Sequence, residues 1–344
     1  MPARPAIAAP TVSVLLPVHN AAGGLGRAVE SIRRQTYADW ELVAVDDGST
    51  DGSAALLEGA ARAEPRLRVC RQPHGGIVAA LTAGLAAARG RLVARMDADD
   101  EAHRERLEEQ VRFLAAHPDI GVVGCLVDYG GDRTAHAGYA LHVDWLNTLV
   151  TPDQIALNRF VESPFAHPSV MFRRALADRH GGYRAGGFPE DYELWLRWAD
   201  AGVRMAKVPR VLLTWHDPAG RLSRTDPRYD AEAFYRVKAV YLARALARDL
   251  RGRRLWVWGA GRPTRRRAAN LEAEGCAIAG YVDIDPSKTG RSLAGRPVIP
   301  PAALPPPGAI FVLGYVASRG ARELMRGELV RRGYVEGRDF LMCA

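Results

Sequence analysis

Two acidic clusters carry the most chemistry in this chain of 344 residues. Asp46-Asp47-Gly48-Ser49-Thr50-Asp51 closes the strand-like run 41–46, and Asp97-Ala98-Asp99-Asp100 follows the run 92–96. Side chains alternate faces along an extended segment, so carboxylates spaced D-x-D point in similar directions. Such a pair can share a hard divalent cation and a ribose. Mg2+ and Mn2+ prefer oxygen ligands, typically one or two carboxylates plus substrate phosphates. A lone D-x-D is most often a solvated turn; two acidic clusters at the ends of strands in one sheet indicate a site.

The elements that must position these residues are legible in the first 125 positions. Apolar runs at 12–17, 41–46, 67–71 and 92–96 alternate with helical patterns at 25–35, after Thr50, at 77–88 and at 104–116. Continuous Val/Leu/Ile runs between amphipathic helices predict an α/β fold with a parallel sheet buried on both faces. Ligands of such sheets sit beyond the carboxyl ends of the strands, which is where both acidic clusters fall. From 125 to 250 the pattern is mixed: a helix opening at Thr151-Pro-Asp-Gln154, strands at 169–172 and 211–215, and helices at 190–201 and 231–248.

Composition narrows the classes. No apolar run approaches the roughly 18 residues of a membrane span, and residues 1–10 read as a loose tail without a secretory signal. Cys70, Cys125, Cys276 and Cys343 form no CxxC pair, which points to neither zinc nor a disulfide framework and fits a reducing cytoplasm. The net charge is +8, and all but Lys207, Lys238 and Lys288 of the 47 basic residues are arginine. They are interspersed with acids, so no nucleic-acid stripe is expected. A basic surface favours phosphorylated small molecules and leaves room for a peripheral membrane contact at 224–254, where a bridge between domains is the simpler reading.

The motifs together resemble family 2 glycosyltransferases of the GT-A fold. They are Ser13-Val-Leu-Leu-Pro17-Val-His-Asn20, Gln35-Thr-Tyr, Glu41 to Asp51, and Ala94 to Asp100. Ser163-Pro-Phe-Ala-His167-Pro-Ser-Val-Met-Phe172, Gly181-Gly-Tyr183 and Glu190-Asp191-Tyr-Glu-Leu-Trp195-Leu-Arg follow in the same order. The resemblance spans about residues 11–225 and implies transfer of a sugar from a nucleotide-sugar donor, with UDP the expected nucleotide, to a hydroxyl acceptor in surface polysaccharide or glycoconjugate synthesis. It implies that Pro17 and Asn20 line the nucleotide pocket, that Asp47 meets the base, and that Asp97 holds the ribose. It also implies that Asp99, with His216, binds Mn2+ or Mg2+, and that Asp191 is the general base, Glu190 and Asp100 being next in line. One base and one cation on opposite faces of the anomeric carbon imply a single inverting displacement. His167 is expected to make a structural hydrogen bond rather than ligate. Trp195 and Trp198 are expected in the core, with sugar stacking the alternative for Trp195. The motif departs at Leu81-Thr82-Ala-Gly84, where Arg-Asn before a glycine is frequent.

A second α/β unit is expected after Arg251-Gly-Arg-Arg254, with a linking helix at 226–252 and a Rossmann-like domain at 253–344. Its strands are read at 255–258, 278–282 and 310–313, with one helix after the first strand running to Glu274 and another at 319–332. Gly259-Ala-Gly261 follows a strand and opens a helix, with Asp283 at the next strand end, as in a dinucleotide fingerprint. Thr264 replaces the third glycine, so a structural role is expected ahead of an accessory nucleotide site at Gly259, Gly261 and Asp283. Alternatives are a nucleotidyltransferase, for which His74-Gly-Gly76 is a poor triphosphate loop, a non-catalytic nucleotide-sugar or NAD-binding protein, and an NAD-dependent oxidoreductase. A homodimer is compatible with the sequence.

Overall fold

The computed structural model describes residues 9–218, 220–318 and 320–344. The expected tail therefore lies almost wholly outside the described residues, as does Arg319, the expected start of the last helix. Two compact units emerge, each assembled from discontinuous stretches: 1–152 with 165–186 and 201–225, and 153–164 with 187–200 and 226–344.

The first unit is built on β1 (Val12–Val18), β2 (Trp40–Asp47), β3 (Leu67–Gln72), β4 (Leu92–Arg95), β5 (Glu101–Ala102), β6 (Ile120–Tyr129), β7 (Met171–Arg173) and β8 (Arg204–Trp215). They form one sheet in the order β3-β2-β1-β4-β7-β6-β8-β5. The first four are parallel, β7 runs against both of its neighbours, β6 and β8 are parallel, and β5 runs against β8. Every residue of β1, β2 and β4 is buried, as expected of strands covered on both faces. Helix Ala22–Arg33 covers one face with Leu25, Ala28, Val29 and Ile32, the i, i+3, i+4, i+7 pattern of an amphipathic helix.

Pro17 is opposite Val45 and Leu15 is opposite Arg95, so β1, β2 and β4 end at one edge of the sheet. Both acidic clusters lie there. The expected set of strands lacks β6, whose Gly121 and Gly124 interrupt an otherwise apolar run. Those glycines are required: a Cβ at Gly121 would meet Val203 Cγ1 at 2.6 Å, and one at Gly124 would meet Phe165 Cδ1 at 2.7 Å.

The second unit holds β9 (Arg254–Trp258), β10 (Ile278–Val282), β11 (Ser292–Leu293), β12 (Arg296–Ile299), β13 (Ile310–Gly314) and β14 (Phe340–Met342) in the order β11-β12-β10-β9-β13-β14. All pairs but β11/β12 are parallel. Helices Arg262–Ala273 and Ala321–Arg331 belong to this sheet's crossovers. The expected boundaries treat 11–225 as one block, whereas the packing assigns 153–164 and 187–200 to the second unit. The cause is apolar: Phe160, Tyr192 and Leu196 share a core with Tyr241, Leu242 and Leu246 of helix Ala231–Asp249 and with Leu255, Val257 and Phe311. Among the described residues no helix is long and apolar enough to cross a membrane.

Candidate active site

The chain leaves β4 at Arg95 and re-enters the sheet at β5, so Met96 to Asp100 make a tight turn at the sheet edge. Carboxylate oxygens of Asp97, Asp99 and Asp100 all lie within 4.8 Å of one another. Buried Arg95 donates to Asp97 Oδ1 at 2.6 Å and to the Met96 carbonyl. Asp100 is 0% exposed; its Oδ1 accepts from the His216 backbone N–H at 2.8 Å, and its Oδ2 has no hydrogen-bond partner among the described residues. Burial, with Asp97 beside it, pushes the Asp99 carboxyl up to about 6, and burial with Asp97 and Asp99 holds Asp100 well above the usual carboxylate range. Concentrated negative charge with an orphaned oxygen suits a hard divalent cation.

Two arginines flank the turn that the sequence reading did not single out. Arg27 of helix Ala22–Arg33 donates to the Asp99 carbonyl at 2.8 Å. Arg221 lies 4.2 Å over the Trp215 ring, donates to Tyr139 Oη at 2.6 Å, and electrostatically favours ionised Asp99 and Asp100. No local motif marks Arg221 among 44 arginines; the aromatic Trp215 six positions earlier is its only local signal. His216 reaches the acidic turn through its backbone. Its Nε2 is buried and has no hydrogen-bond partner among the described residues, and burial lowers its pKa.

At the end of β2 the other cluster folds on itself. Asp46 Oδ1 accepts from Ser49 N–H at 3.1 Å, and Asn20 Oδ1 accepts from Thr50 N–H at 2.8 Å. Asn20 has φ +49°, a left-handed geometry that asparagine tolerates better than most residues. Pro17 is buried within β1. Asp47 Oδ1 accepts from Gln72 Nε2 at 2.6 Å and from Gly75 N–H at 2.9 Å, and Oδ2 accepts from Gly76 N–H at 2.8 Å. His74 Nδ1 stands 2.9 Å from Oδ2, and its ring stacks on His19 at 4.0 Å. Although burial opposes ionisation, these donors hold the Asp47 carboxyl below its usual range. Asp47 thus fixes the 72–76 loop beside the carboxyl edge of the sheet. At the departing motif, Leu81 is buried and Thr82 exposed.

His167 is buried, and its Nε2 lies 2.9 Å from Tyr183 Oη. Burial and the Arg95 charge hold its pKa well below the ordinary value.

Asp191 and Glu190 open helix Glu190–Asp200 in the second unit. Asp191 Oδ1 accepts from Tyr192 N–H at 2.7 Å, and Glu190 Oε2 accepts from Tyr229 Oη at 2.6 Å. Trp195 and Trp198 are buried edge-to-face, with centroids 5.8 Å apart. In the β9 crossover, Gly259 has φ +118°, and Asp283 Oδ2 accepts from Ala260 N–H at 2.8 Å while Oδ1 accepts from Asp285 N–H at 2.9 Å. Gly261 caps helix Arg262–Ala273. Asp283 thus ties the turn after β9 to its own turn after β10.

With this geometry in place, comparison with known proteins identifies the machinery. The profile described as Glycosyl transferase family 2 matches residues 13–181. The amylovoran biosynthesis glycosyltransferase AmsE of Erwinia amylovora is 30% identical over 208 residues, covering 58% of this chain and 74% of that protein. The O-antigen biosynthesis glycosyltransferase WbnJ of Escherichia coli is 26% identical, covering 65% of this chain and 84% of that protein. Among solved structures, S. aureus TarS 1-349 in complex with UDP-GlcNAc superposes with a TM-score of 0.54 at 20% identity, over 76% of this chain and 70% of that chain. That likeness concerns the GT-A fold. The chain is a glycosyltransferase and belongs to glycosyltransferase family 2.

Proposed function

We propose that the chain is an inverting, cation-dependent transferase moving a sugar from a UDP-linked donor to an acceptor hydroxyl in surface polysaccharide assembly. The observation that carries this reading is the three-carboxylate turn at the carboxyl edge of β4, flanked by Arg27 and Arg221. The relatives named for amylovoran and O-antigen biosynthesis support the polysaccharide class.

Asp99 would hold Mn2+ or Mg2+, with Asp100 and His216 completing its surroundings. The cation supplies charge compensation for a departing nucleoside diphosphate. Asp97, steadied by Arg95, faces the ribose, and Pro17, Asn20 and the Asp47-fixed loop wall the nucleoside. Arg221 adds fixed positive charge where the leaving group gathers negative charge. Asp191 takes the proton of the acceptor hydroxyl, a role in keeping with its place at a helix start.

Paired substitutions test the assignment, using UDP with MnCl2 for binding and, for turnover, UDP release from UDP-N-acetylglucosamine with water as the acceptor. Asp99→Asn is expected to lose most of the Mn2+-dependent thermal shift with UDP. Asp191→Asn is expected to keep UDP affinity within about tenfold while turnover falls roughly 10²–10⁴-fold. Equal shifts in Asp99→Asn and wild type would remove the cation assignment. Near-normal turnover in Asp191→Asn would move the base to Glu190 or Asp100.

A further inference from the structure

We propose that Tyr229 is a positioning residue for the acceptor-activating carboxylate, holding Glu190 and so fixing the helix start that carries Asp191, on a frame supplied by the carboxy-terminal unit. This rests on the reading of Asp191 as base.

Glu190 is 3% exposed and takes the Tyr229 hydroxyl at 2.6 Å. That hydroxyl is a dependable donor, because burial and the neighbouring Glu190 charge push its pKa up, so it stays protonated at every working pH. Tyr229 is itself held rigidly. It ends the one-turn segment Pro227–Tyr229, whose preceding residue, Asp226, accepts from Arg228 N–H at 2.9 Å and from Arg228 Nη2 at 2.6 Å. The next residue, Asp230, caps helix Ala231–Asp249 by accepting from Ala233 N–H at 2.7 Å.

That long helix pins the base helix at two further points. Tyr241 Oη donates to Glu193 at 2.5 Å, and Arg248 Nη1 donates to Asp200 at 2.7 Å. Arg197 also donates to Glu193, at 2.9 Å. The long helix in turn meets helix Arg262–Ala273 of the second sheet, where Arg266 donates to Glu232 at 2.6 Å. Start, middle and end of the base helix are therefore fixed by one scaffold, and Tyr229 holds the residue that precedes Asp191. Reacting groups displaced by about an ångström can lose two orders of magnitude in rate, so a contact on the residue next to the base bears on turnover.

The test uses the full-length protein, with UDP-N-acetylglucosamine and MnCl2 for turnover. Tyr229→Phe removes one oxygen and keeps the ring. It is expected to lower kcat about tenfold while the donor KM stays within about twofold. Glu190→Leu, which removes the acceptor, should cause at least a comparable loss, and the double variant should be no worse than the worse single one, because both single variants break the same Tyr229–Glu190 hydrogen bond. In the unliganded protein, the Glu193 and Leu194 amides should exchange at least about threefold faster in Tyr229→Phe, since the helix start is loosened. Wild-type kcat in Tyr229→Phe, unchanged amide exchange, or losses that multiply in the double variant would each overturn the proposal. Asp191→Asn keeps the two ideas apart: full turnover there removes the base assignment, whereas the coupling of Tyr229 to Glu190 is decided by the cycle and the exchange rates.

Discussion

The backbone N–H of His216 donates to the buried Oδ1 of Asp100 at 2.8 Å, across 116 positions of sequence. This bond ties the end of β8 to the acidic turn between β4 and β5. It also explains why Asp100, the deepest of the three acids, is present: it is the acceptor that closes the turn. Asp100→Ala leaves that N–H without its partner and is expected to lose about 1–3 kcal/mol of stability. Asp100→Asn retains an acceptor and removes one of three crowded charges, so its cation-free melting temperature should match or exceed that of the wild type. Thermal melts in EDTA check both, and an Asp100→Asn loss as large as that of Asp100→Ala would remove the account.

Arg221 is expected to act on the two ligands in opposite directions. Arg221→Met keeps an apolar stem against Trp215 and removes the guanidinium. Without it the acidic turn is more negative, so Mn2+ alone should bind as tightly as before or a few-fold more tightly. UDP with Mn2+ should bind at least about tenfold more weakly, because the diphosphate loses a charge-assisted partner. Calorimetry of each ligand separates the effects. Parallel weakening of both would make Arg221 a packing residue.

The acidic edge of the sheet was legible because its signal is local. β1, β2 and β4 are apolar runs ending in acids, and register alone brings their ends together. Arg221 was not legible, because its position depends on Trp215 and Tyr139, residues 76 positions apart. The role of Asp47 was half legible. Its strand-end place was readable, but not that Gln72, Gly75 and Gly76 engage both oxygens, since those donors come from a loop whose path is set by tertiary packing. The interleaving of 187–200 with the second unit was hidden for the same reason: a helix's periodicity shows that it has an apolar face, not which core receives it.

Lys207 gives a pH dependence. It is buried in β8, its Nζ donates to the Leu146 carbonyl at 2.5 Å, and burial lowers its pKa from 10.5 to about 7. Between pH 7 and 10.5 the folded chain binds fewer protons at this residue than the unfolded chain, so its contribution to stability rises with pH. The penalty is complete below about pH 7, where it is on the order of 5 kcal/mol. Lys207→Met abolishes the titration. Wild type should therefore gain on Lys207→Met in melting temperature as the pH is raised from 6 to 9.5. A pH-independent difference between the two would place the lysine in contact with water.

The sharpest division of labour concerns a chain ending after Leu250. Such a chain loses β9 to β14 and with them half of the core that receives Phe160, Tyr192 and Leu196. Each large apolar side chain returned to water costs about 1.5–3 kcal/mol, so helix Glu190–Asp200 should lose its fixed position. Its amides should exchange near the unprotected rate, and turnover should fall by at least about 10²-fold. The acidic turn has different supports. Asp47, Asp97, Asp99 and Asp100 are held by Gln72, Gly75, Gly76, Arg95 and the His216 backbone, all in the first unit. Mn2+-dependent UDP binding should therefore survive within about tenfold of the full chain. Retained turnover would show that helix Glu190–Asp200 needs no second sheet to support it. A folded first unit that no longer binds UDP with Mn2+ would show that the donor site had been drawn too narrowly.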